Sequence, residues 1–223
     1  EPRVQGLQPA AASRRFPSYL APAMTQLPEL PQTLSRQEIR KMIRQRRRAL
    51  TPEQQQEMGQ QAATRMMTYP PVVMAHTVAV FLSFDGELDT QPLIEQLWRA
   101  GKRVYLPVLH PFSAGNLLFL NYHPQSELVM NRLKIDEPKL DVRDVLPLSR
   151  LDVLITPLVA FDEYGQRLGM GGGFYDRTLQ NWQHYKMQPV GYAHDCQLVE
   201  KLPVEEWDIP LPAVVTPSKV WEW

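Results

Sequence analysis

The chain has 223 residues, with 24 basic and 24 acidic side chains for a formal net charge of +0, and a single cysteine. That length fits one domain with a real core, and the balanced charge supplies no global field to recruit nucleic acid or an anionic membrane, so any basic function must be local. One cysteine excludes an internal disulfide framework and fits a reducing compartment, the cytoplasm by default, while no apolar run approaches the roughly 20 residues of a membrane-spanning helix.

Residues 1–33 carry prolines at 2, 9, 17, 22, 28 and 31, alanine runs and scattered arginines without a sustained period. They read as a flexible extension with no apolar core of the signal-peptide kind. Met24, followed by TQLPELPQ, offers an internal translation start. Order is expected from SRQEIRKMIRQRRRAL, where Ser35 and Glu38 have capping-box spacing and Ile39, Met42, Ile43 and Leu50 form a helical apolar stripe. Thr51, Pro52 and Gln54 open a second helix running to about Met67, which Pro70 and Pro71 are expected to stop.

TVAVFLSF (77–84) reads as a strand closed by Asp85 and Gly86. Thr90 opens the helix TQPLIEQLWRA, which Gly101 ends. RVYLPVL, LLFLNY and DVLITPLVAF (152–161) read as strands, the last one buried; FYDRTLQNW reads as helix and PVGYAH as strand. Strands alternating with helices predict an α/β fold with a largely parallel sheet and helices on both faces. Residues 34–223 are expected to form one domain.

In such a fold ligands collect beyond the carboxyl ends of the strands, where RLGMGGGFYDR (167–177) follows the strand expected over 152–161. Glycines there let backbone N–H groups adopt positive φ and approach an anion, phosphate above all. The pattern G-x-G-G-G is neither a Walker loop nor a clean dinucleotide fingerprint, and a plain tight turn is the simpler account of a bare glycine cluster. Its neighbours shift the balance. Arg167 can clamp a phosphate, and Phe174 and Tyr175 can stack on a heterocycle, although core packing is the commoner use of such a pair. Asp176 would repel a phosphate unless a cation intervened, which points to Mg²⁺; a carboxylate favoured by a helix start is the alternative.

RLGMGGGFYDRTL, with TPLVAFDEYGQ before it, LPVEEWDIPLPAVVT near the C-terminus, the basic helix RQEIRKMIRQRRRAL, SFDGELDT and GKRVYLPVL, resembles the 5-formyltetrahydrofolate cyclo-ligase (5,10-methenyltetrahydrofolate synthetase) family from about Ser35 to the end. The resemblance implies a three-layer α/β/α sandwich akin to sugar-phosphate isomerases and CoA-transferases. It also implies Mg²⁺- and ATP-dependent conversion of 5-formyltetrahydrofolate, with or without a polyglutamate tail, to 5,10-methenyltetrahydrofolate, ADP and phosphate, by a monomer. Carried over by position, ATP would be held by Arg36, Gln37, Glu38, Ile39, Arg40, Arg167, Leu168, Gly169, Met170, Gly171, Gly172, Gly173, Phe174 and Tyr175. The folate would meet Glu87, Met170, Gly171, Gly172, Gly173 and Phe174; Arg167 and Tyr175 would serve catalysis, and Asp176 and Asp208 would hold the metal. The chain departs from the family where many members have a basic residue at the position of Met170 or Gly172, and where the family's Tyr-Tyr-Asp becomes Phe174-Tyr175-Asp176.

Other functions fit less well. An RNA-binding helix through Arg36, Arg40, Lys41, Arg44, Arg46, Arg47 and Arg48 lacks interleaved aromatics and spreads its charge around the apolar stripe. A metal-free isomerase or CoA-transferase relative would not need the two carboxylates or the basic helix. His76, His110, His123, His184 and His194 never pair at helical zinc-ligand spacing, no G-x-S-x-G elbow is present, and Cys196 reads as structural.

Overall fold

The Ser35 signal is realised in a computed structural model that describes residues 34–223; the extension expected over 1–33 lies outside the described residues. Helix α1 (Arg36–Arg48) begins where the Ser35 hydroxyl accepts from the Glu38 N–H and the Glu38 carboxylate accepts from the Ser35 N–H. Thr51 and Gln54 make the same reciprocal pair at the start of α2 (Pro52–Thr68). That helix ends at Thr68, before Pro70 and Pro71 as predicted, and the two prolines also open a further short helix. Both prolines sit in the first turn of α3 (Pro70–Met74), where a missing N–H and a fixed φ do no harm.

Next come β1 (Thr77–Ala79), α4 (Gln91–Arg99), β2 (Arg103–Leu109) and β3 (Leu117–Tyr122), then a hairpin of β4 (Leu128–Met130) and β5 (Asp136–Pro138). They are followed by β6 (Val145–Leu146), β7 (Val153–Thr156), β8 (Ala160–Asp162), β9 (Arg167–Leu168), α5 (Phe174–Leu179), β10 (Gln188–Tyr192), β11 (Leu198–Val199), β12 (Ala213–Val215) and β13 (Val220–Glu222). The main sheet has eight strands in the order β13-β12-β10-β7-β1-β2-β3-β6. Its middle run from β12 to β2 is parallel, and antiparallel strands finish both edges. The fold is therefore an α/β sandwich on a mainly parallel sheet, as predicted.

Side-chain alternation builds its two cores. Val78, Val104, Val153 and Ala213 point to the face covered by α2 and α4 through Ala62, Met66, Leu93 and Leu97. Their neighbours Ala79, Tyr105, Leu154 and Val214 point to the other face, against Phe161, Leu179 of α5 and Leu211. A small sheet, β11-β8-β9, lies beyond this second face, and Ile39 and Ile43 of α1 pack on its Ala160, Leu168 and Val199. No helix among the described residues is long and apolar enough to cross a membrane.

Two predicted strands are shorter than expected, for different reasons. The run 77–84 leaves the ladder after Ala79, with one last bond from the Val80 N–H to the Tyr105 carbonyl; Phe81, Leu82 and Phe84 are apolar because they wall a cavity. The run 152–161 breaks at Pro157, which cannot donate to a ladder, so β7 and β8 belong to different sheets. Thr90 also departs from its expected role. Its hydroxyl donates to the Phe81 carbonyl at 2.7 Å instead of capping α4, and Asp89 receives the Gln91 N–H.

Candidate active site

Past the carboxyl ends of β1, β2 and β7 the chain opens into a cavity of about 600 Å³, within the range of small-molecule sites. Its apolar lining comes from Phe81, Leu106, Leu109, Leu117 and Leu133; Arg36, Arg40 and Arg167 gather with the loop ending in Asp176 into a cationic end. Glu87 and Gln37 also line it. Among the residues predicted for the site, Glu38, Ile39, Leu168 and Asp208 stand off the wall. Glu38 serves the cap of α1, and Ile39 and Leu168 are core.

The glycine loop runs from β9 into α5. Gly171 (φ 108°) and Gly173 (φ 72°) occupy left-handed backbone, and a Cβ at Gly173 would stand 2.8 Å from the Arg177 guanidinium. Among the described residues, the backbone N–H groups of Met170, Gly171, Gly172 and Gly173 donate to no protein acceptor. They form a short run of donors at the cationic end. Arg177 fixes the loop from outside by donating to the Gly172 and Gly115 carbonyls, and its guanidinium lies 5.4 Å from the Phe174 ring centre.

Arg167 is buried, donates to the Pro157 carbonyl at 2.9 Å and lies 3.8 Å from Asp176. Burial pushes its pKa down, with Asp176 the largest opposing influence. Its guanidinium stands 5.5 Å from the centre of the Tyr175 ring. The Tyr175 hydroxyl is buried without a hydrogen-bond partner, and burial raises its pKa, so it remains an O–H donor. An unsatisfied buried hydroxyl is costly, which suits a group waiting for a ligand.

Arg40 reaches from α1 to the Gly169 carbonyl at 2.6 Å and points its guanidinium toward Gly171. One turn earlier, Arg36 holds Asp208 through both nitrogens, at 2.7 and 3.2 Å, and also donates to the Pro203 carbonyl. Asp208 further accepts from the Glu205 N–H. The two carboxylates predicted to hold a metal are therefore differently placed. Asp176 is on the cavity wall, with one oxygen accepting the Ile209 N–H and the other unbonded; both Asp208 oxygens are engaged. Among the described residues no three or more His, Cys, Asp or Glu gather to hold a metal. The donor set fits an ion that takes one or two protein carboxylates and completes its shell with phosphate oxygens and water, the usual habit of Mg²⁺.

Glu87 is 8% exposed and accepts the Phe84 N–H at 3.0 Å. Burial lifts its carboxyl to about 7, against the opposing pull of that N–H and of Arg47. Its turn, with positive φ at Asp85 and Gly86, is gripped by the far end of α1: Arg44, Arg47 and Arg48 all converge on Asp85. Arg48 is the closest, through bonds of 2.5 and 2.8 Å. The His194 ring bonds the Gly86 carbonyl from below, and burial pushes its pKa down to about 4. The basic helix thus spends its C-terminal arginines on an internal carboxylate and turns its first pair to the cavity.

Sequence reasoning missed the hairpin residues Asn131, Leu133, Ile135 and Glu137, and also Trp207, all of which line the cavity. The hairpin strands are only three residues long and carry too little period to read. Trp207 sits inside a recognised motif, but nothing in the motif says where its ring points.

The family model described as the 5-formyltetrahydrofolate cyclo-ligase family matches residues 32–217. The 5-formyltetrahydrofolate cyclo-ligase of Escherichia coli (strain K12) is 99% identical over 182 residues, covering 82% of this chain and 100% of that protein. The Haemophilus influenzae protein of the same name is 53% identical over 179 residues, covering 80% of this chain and 96% of its own. Among solved structures, the 5,10-methenyltetrahydrofolate synthetase of Aquifex aeolicus superposes with a TM-score of 0.73 at 28% identity, over 85% of this chain and 93% of that one.

Proposed function

The chain belongs to the 5-formyltetrahydrofolate cyclo-ligase family, and we propose that it closes the 5-formyltetrahydrofolate ring by spending ATP with Mg²⁺, through a phosphorylated formyl oxygen. The observation that carries this reading is one cavity with two characters, a cationic end lined by free backbone N–H groups beside an apolar wall. A triphosphate suits the first and a flat pterin the second.

The chemistry explains why no nucleophilic side chain is needed. A formamide carbon is a poor electrophile, because its nitrogen donates into the carbonyl and oxide is a poor leaving group. Attack of the formyl oxygen on the γ-phosphorus releases ADP and leaves a phosphorylated imidate. The bridge nitrogen of the folate then adds to the formyl carbon and loses its proton, and departure of phosphate leaves the methenyl bridge. The substrate supplies both nucleophiles.

The protein's share is alignment and positive charge around the transferring oxygens. Arg40, Arg167 and the amides of Met170, Gly171, Gly172 and Gly173 are arranged for the phosphates, with Gln37 beside them. The Tyr175 O–H, lacking a partner, is available to an oxygen of the reacting group. Glu87, whose carboxyl titrates near 7, can donate to or accept from the polar edge of the pterin, and Phe174 flanks it. Mg²⁺ would be held by Asp176, and by Asp208 once Arg36 exchanges that carboxylate for phosphate, neutralising charge that develops during transfer. A monomer in the cytoplasm belongs to the same proposal, as does tolerance of a polyglutamate tail.

The test is direct. Purified protein mixed with 5-formyltetrahydrofolate and Mg·ATP should develop the methenyl chromophore, and should not when ATP is left out. Equal turnover without nucleotide would remove ATP from the scheme.

A further inference from the structure

Trp207 is 63% exposed, yet it lines the cavity. An indole left this open forgoes a large apolar contact, and its N–H makes no hydrogen bond among the described residues. The backbone that carries it is nevertheless held. Asp208 is clamped by Arg36 through both oxygens, the Glu205 N–H returns to the same carboxylate at 2.8 Å, and Arg36 also donates to the Pro203 carbonyl. A bare aromatic face is thus presented from a braced turn, next to the first turn of α1.

The position of that face selects its occupant. The apolar wall is deep: Phe81 and Leu106 are almost wholly buried. Trp207 lines the cavity and directly precedes Asp208, the carboxylate that Arg36 holds, which ties it to the cationic group. A triphosphate lying along the glycine loop must direct its γ-phosphorus toward the formyl group on the apolar side, so its base emerges on the outer side. We infer that Trp207 stacks on the adenine ring of the nucleotide and forms a purine-binding platform at the mouth of the site. This rests on the ATP-dependent reading above. Stacking needs a π-face and no hydrogen-bond partner, which matches an exposed indole whose N–H is unbonded among the described residues.

The experiment compares the full chain with Trp207→Ala and Trp207→Phe, using calorimetric titrations with ADP and with inorganic tripolyphosphate, each with Mg²⁺. A base–aromatic stack predicts that Trp207→Ala weakens ADP binding by roughly tenfold. Trp207→Phe should keep most of the affinity, and tripolyphosphate should bind all three proteins alike. In turnover, the KM for ATP should rise in Trp207→Ala while kcat and the KM for 5-formyltetrahydrofolate hold.

An equal loss for ADP and tripolyphosphate would overturn the stack and leave Trp207 as a brace for the Arg36–Asp208 pair. A loss confined to 5-formyltetrahydrofolate would assign the ring to the other substrate. Unchanged ADP binding in Trp207→Ala removes the platform alone, whereas a wild-type protein that binds neither probe removes the nucleotide reading with it.

Discussion

Arg36 and Asp208, 172 residues apart in the chain, meet as a two-pronged pair, with the carboxylate 3% exposed. A guanidinium stands where the proposed scheme needs a metal, so cation and arginine compete for one carboxylate. Asp208→Asn should therefore bind ADP in the presence of EDTA as tightly as wild type or better, since Arg36 is released toward phosphate. It should also lose at least tenfold of the tightening that Mg²⁺ confers. Calorimetry with and without the ion reads both effects. A fall in metal-free affinity would instead mean that Asp208 only organises its loop.

Asp176 is the carboxylate with an unbonded oxygen on the cavity wall. Asp176→Asn keeps an oxygen for the Ile209 N–H, so its thermal melt should match wild type, while turnover with Mg·ATP falls by about 10- to 100-fold. Unchanged kinetics at both saturating and limiting Mg²⁺ would reject a metal role here.

The elements legible in the sequence were those whose signals are local. Ser35 with Glu38 and Thr51 with Gln54 stand three residues apart, and each pair caps its helix as read. RVYLPVL and LLFLNY are strands over their full predicted length. The failures have different causes, one of them that apolar residues serve cavities as well as cores. Phe81, Leu82 and Phe84 extend the apolar run beyond β1 without joining the ladder, and Pro157 divides what looked like one buried strand. The last two strands, β12 and β13, have three residues each, too few for alternation to register.

The glycine loop was legible through its neighbours, since a bare glycine cluster is more simply a tight turn; Arg167, Tyr175 and Asp176 line one cavity with it. The arginines of α1 were not separable, since Asp85 and Asp208 lie far along the chain from the residues that grip them. Apart from the family resemblance, Arg36, Arg40, Arg44, Arg47 and Arg48 look alike; with those partners, the helix divides into a cavity-facing end and a structural one.

Arg40 tests that division. It bonds the Gly169 carbonyl and borders the loop without a carboxylate partner. Arg40→Ala should raise the apparent KM for ATP by about tenfold or more, the scale of a charge-assisted hydrogen bond to phosphate, with the KM for folate little changed. Steady-state kinetics with each substrate varied in turn separates the two. An effect on folate alone would reverse the assignment.

Glu87 carries a pH signature. Its folded carboxyl titrates near 7, against an ordinary 4.5, so between those values the folded protein keeps a proton that the unfolded chain has lost. The stability this contributes is complete below about 4.5 and is lost as pH rises through 7. Arg47 and Arg167 oppose the shift and Asp85 reinforces it, while His194 behind the turn, titrating near 4, is already neutral over this window. Glu87→Gln accepts the same Phe84 N–H and has no proton to lose. Its melting temperature should match wild type near pH 5 and exceed it at pH 8, by an effect of at most about 3 kcal/mol. Thermal melts across that range measure the divergence, and parallel pH profiles for the two proteins would show that the burial of this carboxyl does not govern its charge.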